Sequence, residues 1–221
     1  MAYFEGIQDM LNEQVQLAKS LKIEDQLKGE PKLVAGFHQA YVGETMIVAG
    51  VICKYVTMEV VERQHIIRKA DVPYIAGYVA YRVGPVIIDA FKQFKKNPDV
   101  ILVNGNGIIH PRKVGIASYV GIVLQKPSVG VARTQFCGEL KDDKVFVDGE
   151  MRGFRVRLSP DRQIFISPGH MLSIDMARKI VLNCIKSGNH PEPLRLADLY
   201  AEEVKAKYEK DAAKGSSKKA E

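Results

Sequence analysis

Two short, almost wholly apolar runs constrain the fold most: Val100-Ile101-Leu102-Val103 and Ser128-Val129-Gly130-Val131-Ala132. A strand that alternates apolar and polar residues covers one face of a core. A run without that alternation turns neither face to water and reads as a central strand with helices on both sides. Val114 to Leu124, between the runs, has helical spacing. Upstream, Pro85 to Lys96 sets Ile87, Ile88, Phe91 and Phe94 on one helical face and ends at Asn97-Pro98. Helix, buried strand, helix, buried strand is the order of an α/β layer fold.

The earlier part of the chain has a different pattern. Lys32 to Tyr41, Thr45 to Cys53 and Val56 to Val61 (continuing toward His65) read as strands, with Gly43-Glu44 as a tight hairpin between the first two. An antiparallel three-strand meander therefore opens a mixed sheet flanked by helices. Tyr3 to Leu27 carries Phe4, Ile7, Leu11, Val15, Ala18 and Leu21 at amphipathic helical spacing, and Lys28-Gly29-Glu30-Pro31 breaks it. Short strands follow at Val145 to Val147, Phe154 to Arg157 and Ile164 to Ile166. A last helix runs from Ser173, a natural N-cap, to Ser187. Residues 1–203 read as a single domain. Residues 204–221, with six lysines against three acids, read as a basic, flexible tail whose first part extends a helix.

Composition removes several function classes. Three widely spaced cysteines (Cys53, Cys137, Cys184), with no CxxC pair, do not build a zinc ribbon or a disulfide scaffold. No stretch approaches the ~20 apolar residues of a membrane helix. Met1 to Asp25 mixes acids and amides with apolar residues, unlike a signal peptide. The expectation is a cytoplasmic protein with no membrane partner, its oligomeric state open. Lys and Arg exceed Asp and Glu by 32 to 26, a surplus of +6 that suits an anionic partner and equally suits a soluble surface.

Four segments carry chemistry: Val34-Ala35-Gly36-Phe37-His38, Pro73 to Pro85, Val103 to Arg112, and Ser167-Pro168-Gly169-His170. Each alone is weak. Asn104-Gly105-Asn106-Gly107 follows a strand as a phosphate loop does, but lacks the Lys-Ser/Thr of a Walker motif and the spacing of a dinucleotide fingerprint. Tyr74, Tyr78 and Tyr81 have the spacing of core packing, and Ser-Pro-Gly-His reads as a turn.

In this order, together with Gly115-Ile116-Ala117-Ser118, Gly130-Val131-Ala132-Arg133 and Arg195-Leu196-Ala197-Asp198, they resemble the endonuclease V family from about Tyr3 to Glu203. The resemblance implies an RNase H-like fold and a partner that is DNA or RNA, containing inosine in the active members. Those members flip the base into a pocket of backbone groups and cut nearby with Mg²⁺. It assigns the wedge to Pro73, Tyr74, Ile75 and Ala76, and backbone approach to a base to Gly105 and Gly107. His110 belongs to the matched loop, and Arg82, Arg112, Lys113, Arg133 and His170 are candidate nucleic-acid contacts.

The departures bear on catalysis. The family's metal-binding Asp, Glu and Asp positions are His38, Val83 and Asn104 here, the loop His is Asn106, and the usual Lys is Arg133. Magnesium takes oxygen ligands, and three negative charges have left the site. The expectation is a pseudoenzyme relative of a DNA repair nuclease. It would bind nucleic acid without a divalent ion and would need no cofactor. No catalytic set is intact, and Arg133 and His170 remain as candidates. Glu44, Asp89 and Asp175 are nearby acids to weigh as stand-ins. His38, Asn104 and His170 could together hold a transition metal, against a reading of two hydrogen-bonded histidines. The alternatives are an active deoxyinosine endonuclease with an altered ion site and a protein-interaction subunit that keeps only the fold.

Overall fold

The computed structural model describes residues 2–186 and 190–217. A first helix, α1 (Ala2–Lys19), precedes the strands β1 (Leu33–Val42), β2 (Thr45–Lys54) and β3 (Val60–Lys69). Then come α2 (Val79–Lys92), β4 (Val100–Asn104), α3 (Ile116–Leu124) and β5 (Ser128–Ala132). Four more strands follow, β6 (Glu139–Lys141), β7 (Lys144–Val147), β8 (Glu150–Ser159) and β9 (Arg162–His170), before α4 (Ile174–Asn183) and α5 (Glu192–Ser217).

The nine strands form one mixed sheet in the order β3-β2-β1-β4-β5-β9-β8-β7-β6. The expected meander opens it: β1 and β2 pair antiparallel, with Val42 opposite Thr45 across a two-residue turn. Gly43 takes a φ of +54° there, which suits a primed hairpin turn. The two apolar runs are the central β4 and β5, parallel to each other and to β1. Period-two alternation divides the core. Val34, Val100, Leu102, Val129 and Val131 face α4 and α5, while Ala35, Phe37, Ile101 and Val103 face α2 and α3.

Several boundaries differ from the sequence reading. α1 ends at Lys19, not Leu27, and β3 begins at Val60 after a turn at residues 55–57. α2 starts at Val79, so Pro85 lies inside the helix rather than in its first turn. Ser167-Pro168-Gly169-His170 is the end of β9 rather than a turn. α4 keeps its predicted cap, the Ser173 hydroxyl accepting from the Met176 amide, but ends at Asn183; the expected end at 187 lies outside the described residues. The boundary at 203/204 falls inside α5, where Ala201 and Val204 are buried against Ala40, Ile47 and Ala49. Residues 204–217 are thus helical rather than a flexible tail, and 218–221 lie outside the described residues.

Candidate nucleic-acid interface

The C-terminal ends of β1, β4 and β5 lie side by side, because Phe37 pairs with Val103 and Asn104 with Val131. In an open α/β sheet that edge is where ligands sit. A pocket of about 530 Å³ opens there, lined by His38, Asn104 and Arg133 at the strand ends and by Tyr74 and Phe136 at its rim.

α5 brings a carboxylate to this edge. A Cβ on Gly36 would lie 2.3 Å from the Pro193 carbonyl, so only glycine lets the start of α5 rest directly on β1. His38 is two residues further along the strand, about 7 Å. Asp198 is five residues further along the helix, about 7.5 Å. The two side chains therefore meet, with His38 Nε2 3.2 Å from Asp198 Oδ1, and Arg133 lies 3.4 Å from the other carboxylate oxygen. Burial pushes the His38 pKa down, against the pull of Asp198, with Arg133 adding to the decrease and Glu202 opposing it. A neutral imidazole facing a carboxylate carries its hydrogen on Nε2, which leaves Nδ1 as a bare acceptor. That Nδ1, Gln39 Oε1 and Asn106 Oδ1 are buried and find no hydrogen-bond partner in the structure.

Val83 is not at this edge. It is fully buried in the α2/α3 layer with Phe37, Ile87 and Val103, and does not line the pocket. The acids weighed as stand-ins are elsewhere too. Glu44 pairs with Lys69 at 2.8 Å, Asp89 with Arg68 at 2.6 Å, and Asp175 opens α4. Asp198 is the carboxylate at the site. The motif Arg195-Leu196-Ala197-Asp198 was visible in the sequence, but only the Gly36 contact explains why it lands beside His38.

The segment from Pro73 to Ala76, to which the resemblance assigns the wedge, protrudes at the rim. Pro73, Tyr74 and Ala76 are exposed, Tyr74 at 73%, and Ile75 is half-buried. The segment is braced from behind. The Gly77 carbonyl accepts from Gln14 at 2.9 Å, His110 Nε2 at 3.0 Å and Arg112 at 3.1 Å, while Arg82 donates to the Val72 carbonyl. His110 also accepts the Arg112 amide on Nδ1 at 3.1 Å, so its hydrogen is on Nε2. Burial, reinforced by Arg112 and Arg152, pushes its pKa down to about 4, and the imidazole is neutral. Its ring stacks on Phe136 with centroids 5.6 Å apart. Arg112 lies over the Tyr78 ring, 4.7 Å from its centroid, and Arg82 over Tyr41 at 5.4 Å. Lys113 pairs with Glu150 at 2.7 Å.

Three sequence expectations change. His170 is fully buried at the opposite end of β5, opposite Ser128, and its Nδ1 accepts the Lys22 amide at 3.3 Å. It therefore reaches neither the pocket nor a bound strand, and the trio His38, Asn104 and His170 does not converge. Gly107 is buried against Ser167 and Pro168: its added Cβ would lie 2.1 Å from the Pro168 carbonyl, so its missing side chain admits protein backbone rather than a base. Arg82 and Arg112 are engaged in holding the wedge. Gly105 does line the pocket, next to Asn106 and Gly115.

The donor set does not fit magnesium. It offers one carboxylate, already engaged by an imidazole and a guanidinium, plus a carboxamide, where a hard dication wants several anionic oxygens. Among the described residues no group of three or more His, Cys, Asp or Glu side chains could hold a metal ion, and no helix is long and apolar enough to cross a membrane.

Comparison with known proteins gives the geometry a family. The sequence pattern of Endonuclease V matches residues 15–199. The Endonuclease V of Geotalea uraniireducens strain Rf4 is 33% identical over 214 residues, covering 91% of this chain and 89% of that protein. The fold superposes on Endonuclease V of Bacillus subtilis with a TM-score of 0.80 at 28% identity, covering 92% of this chain and 94% of that one. It also superposes on Ciona intestinalis Endonuclease V, solved with a 24-mer DNA containing an inosine followed by a ribo-adenosine. There the TM-score is 0.83 at 26% identity, over 92% of this chain and 99% of that one. The mixed sheet is thus the RNase H-like architecture that the resemblance implied. With the motifs in order, the strand-end pocket in place and the match running through nearly the whole fold, the chain belongs to the Endonuclease V family.

Proposed function

We propose that this chain binds DNA or RNA by holding one base out of the stack in the strand-end pocket, and that it does not cleave with magnesium. The observation that carries the reading is the donor set. His38 and Arg133 grip the one carboxylate, Asp198, while Val83 is sealed in the apolar layer. An active metal nuclease uses bound ions to polarise a phosphoryl oxygen and activate water, worth several kcal/mol of transition-state stabilisation. This site lacks the oxyanions that would retain such ions.

Binding has its own support. The Ciona relative was solved with inosine-containing DNA. Tyr74 is an exposed aromatic at the rim, suited to fill the gap that a displaced base leaves. Gln39 Oε1 and Asn106 Oδ1 are buried acceptors awaiting a donor, and the N–H edge of a base supplies one. Arg133, 64% exposed, is the cation placed to meet phosphate.

The second reading, an active endonuclease with an altered ion site, is favoured by Asp198 alone. A nicking assay on inosine-containing DNA and RNA with Mg²⁺ or Mn²⁺ separates the two. The proposal expects no nicking at enzyme concentrations that saturate binding in a gel shift. Metal-dependent scission near inosine overturns it.

A further inference from the structure

A second cavity, of about 830 Å³, lies beside the pocket; Arg133 lines both, and Asp198 lines the second. Its wall carries five arginines (Arg133, Arg155, Arg157, Arg162, Arg195) against two acids, Asp161 and Asp198. Apart from Arg133 and Asp198, none of its lining residues belongs to the wedge-and-pocket arrangement.

The arginines differ in what they are free to do. Arg155 is held by Asp143 at 2.5 Å and Arg195 by Glu192 at 2.7 Å. Arg157 and Arg162 are exposed and make no ion pair among the described residues, while Arg133 has only the 3.4 Å contact with Asp198. They converge because of register. Arg155 and Arg157 are two apart on β8 and share a face, and the β8–β9 hairpin sets Arg157 opposite Gln163 and Ser159 opposite Arg162. Like charges gathered on one hairpin repel and destabilise it, so packing gives no reason for them. A polyanion offsets that repulsion, and guanidinium groups suit phosphate oxygens.

Resting on the proposed function, we propose that this groove is a track for the sugar–phosphate backbone of the same strand that the pocket holds, gripping nucleotides on one side of the displaced base without reading their sequence. From Arg155 to Ser159 the hairpin spans about 13 Å at ~3.3 Å per residue, long enough to meet more than one phosphate of the strand.

The test uses labelled single-stranded oligonucleotides: a 5-mer with central inosine, two 15-mers extending it on the 5′ or the 3′ side, and a 20-mer of thymidine. The intact chain is compared with the double variant Arg157→Gln/Arg162→Gln. The expected result is that one 15-mer binds more tightly than the 5-mer and that the double variant loses this gain, about tenfold. Its log K against log salt slope should fall by about 1.4, two contacts at ~0.7 each for single strands, with 5-mer affinity unchanged. Equal binding of the extended strands by both proteins, or equal losses on the short and long strands, overturns the track. If the 5-mer fails to bind the intact chain, the pocket reading falls. The thymidine 20-mer then decides the track alone, which stands if its binding depends on Arg157 and Arg162 and falls otherwise.

Discussion

Restoring one lost acid, by Val83→Glu, should destabilise the protein rather than rebuild an ion site. Val83 has no exposed surface and packs among Phe37, Ile87 and Val103 on the α2/α3 side of the sheet. A carboxyl there has two unfavourable options. Ionised, it is a buried charge with no partner. Protonated at pH 7, it must take up a proton roughly 2.7 units above its ordinary pKa of ~4.3, costing about 3.7 kcal/mol. The unpaired hydroxyl and carbonyl add ~1–3 kcal/mol. The total, around 5 to 6 kcal/mol, is a large share of a typical domain's ~5–15 kcal/mol. At 2–4 °C per kcal/mol for a chain of this size, the melting temperature should fall by ~10–20 °C.

The pH dependence identifies the cause. The folded pKa of that carboxyl is raised, so the penalty is fully relieved below its unfolded pKa and grows as pH rises. The gap between variant and parent should therefore shrink by about 3 kcal/mol between pH 7.5 and 4.5. Thermal and urea denaturation at the two pH values measure it. Adding Mg²⁺ should leave the deficit of Val83→Glu unchanged, because position 83 packs in the α2/α3 layer and does not line the strand-end pocket. An unshifted melting temperature for Val83→Glu, or a deficit indifferent to pH, would falsify the claim that position 83 is sealed from the ion edge.

Tyr74→Ala should leave the melting temperature within about 1 °C, since an exposed side chain contributes little to stability. It should weaken binding to a duplex containing inosine by ~1–3 kcal/mol, the range for stacking of one base on an aromatic ring, read by fluorescence anisotropy. Burial holds the pKa of His110 and of His190 down near 4. The unfolded chain then takes up protons first, so stability is fully present above pH ~6.5 and is lost as pH falls toward 4, by on the order of 3 kcal/mol for each. His110→Gln should therefore lose less stability than the parent between pH 7.5 and 4.5, by ~2 kcal/mol in urea titrations. Equal losses would mean that His110 is not the neutral brace of the wedge.

The sequence made the sheet legible where residue pattern and burial agree. β4 and β5 could be read because central strands need apolar side chains on both faces, and the β1–β2 hairpin because Gly43 marks its turn. β6 escaped because its three residues Glu139-Leu140-Lys141 carry one apolar side chain. α5 was only partly visible because its buried face mixes small residues, Ala197 and Ala201, with Leu194 and Val204 and so lacks a continuous stripe of large apolar side chains. At the site, strand-end residues His38, Asn104 and Arg133 could be placed from their motifs. His170 could not, because whether a histidine points into a cleft or accepts an amide such as that of Lys22 depends on packing 148 residues away in sequence. Asp198 was missed for the same reason: its partner on β1 is set by a glycine that shows its purpose only when a helix rests on it.

The central claim is that an imidazole and a guanidinium have taken over a carboxylate edge, so that phosphate can approach without a metal ion to screen it. Titrating a fluorescent inosine-containing strand into the protein with excess chelator, and again with Mg²⁺, over a range of salt, tests this most directly. The expected result is equal affinity in both at fixed ionic strength, declining linearly in log K against log salt. Binding that appears only when the divalent ion is present contradicts it.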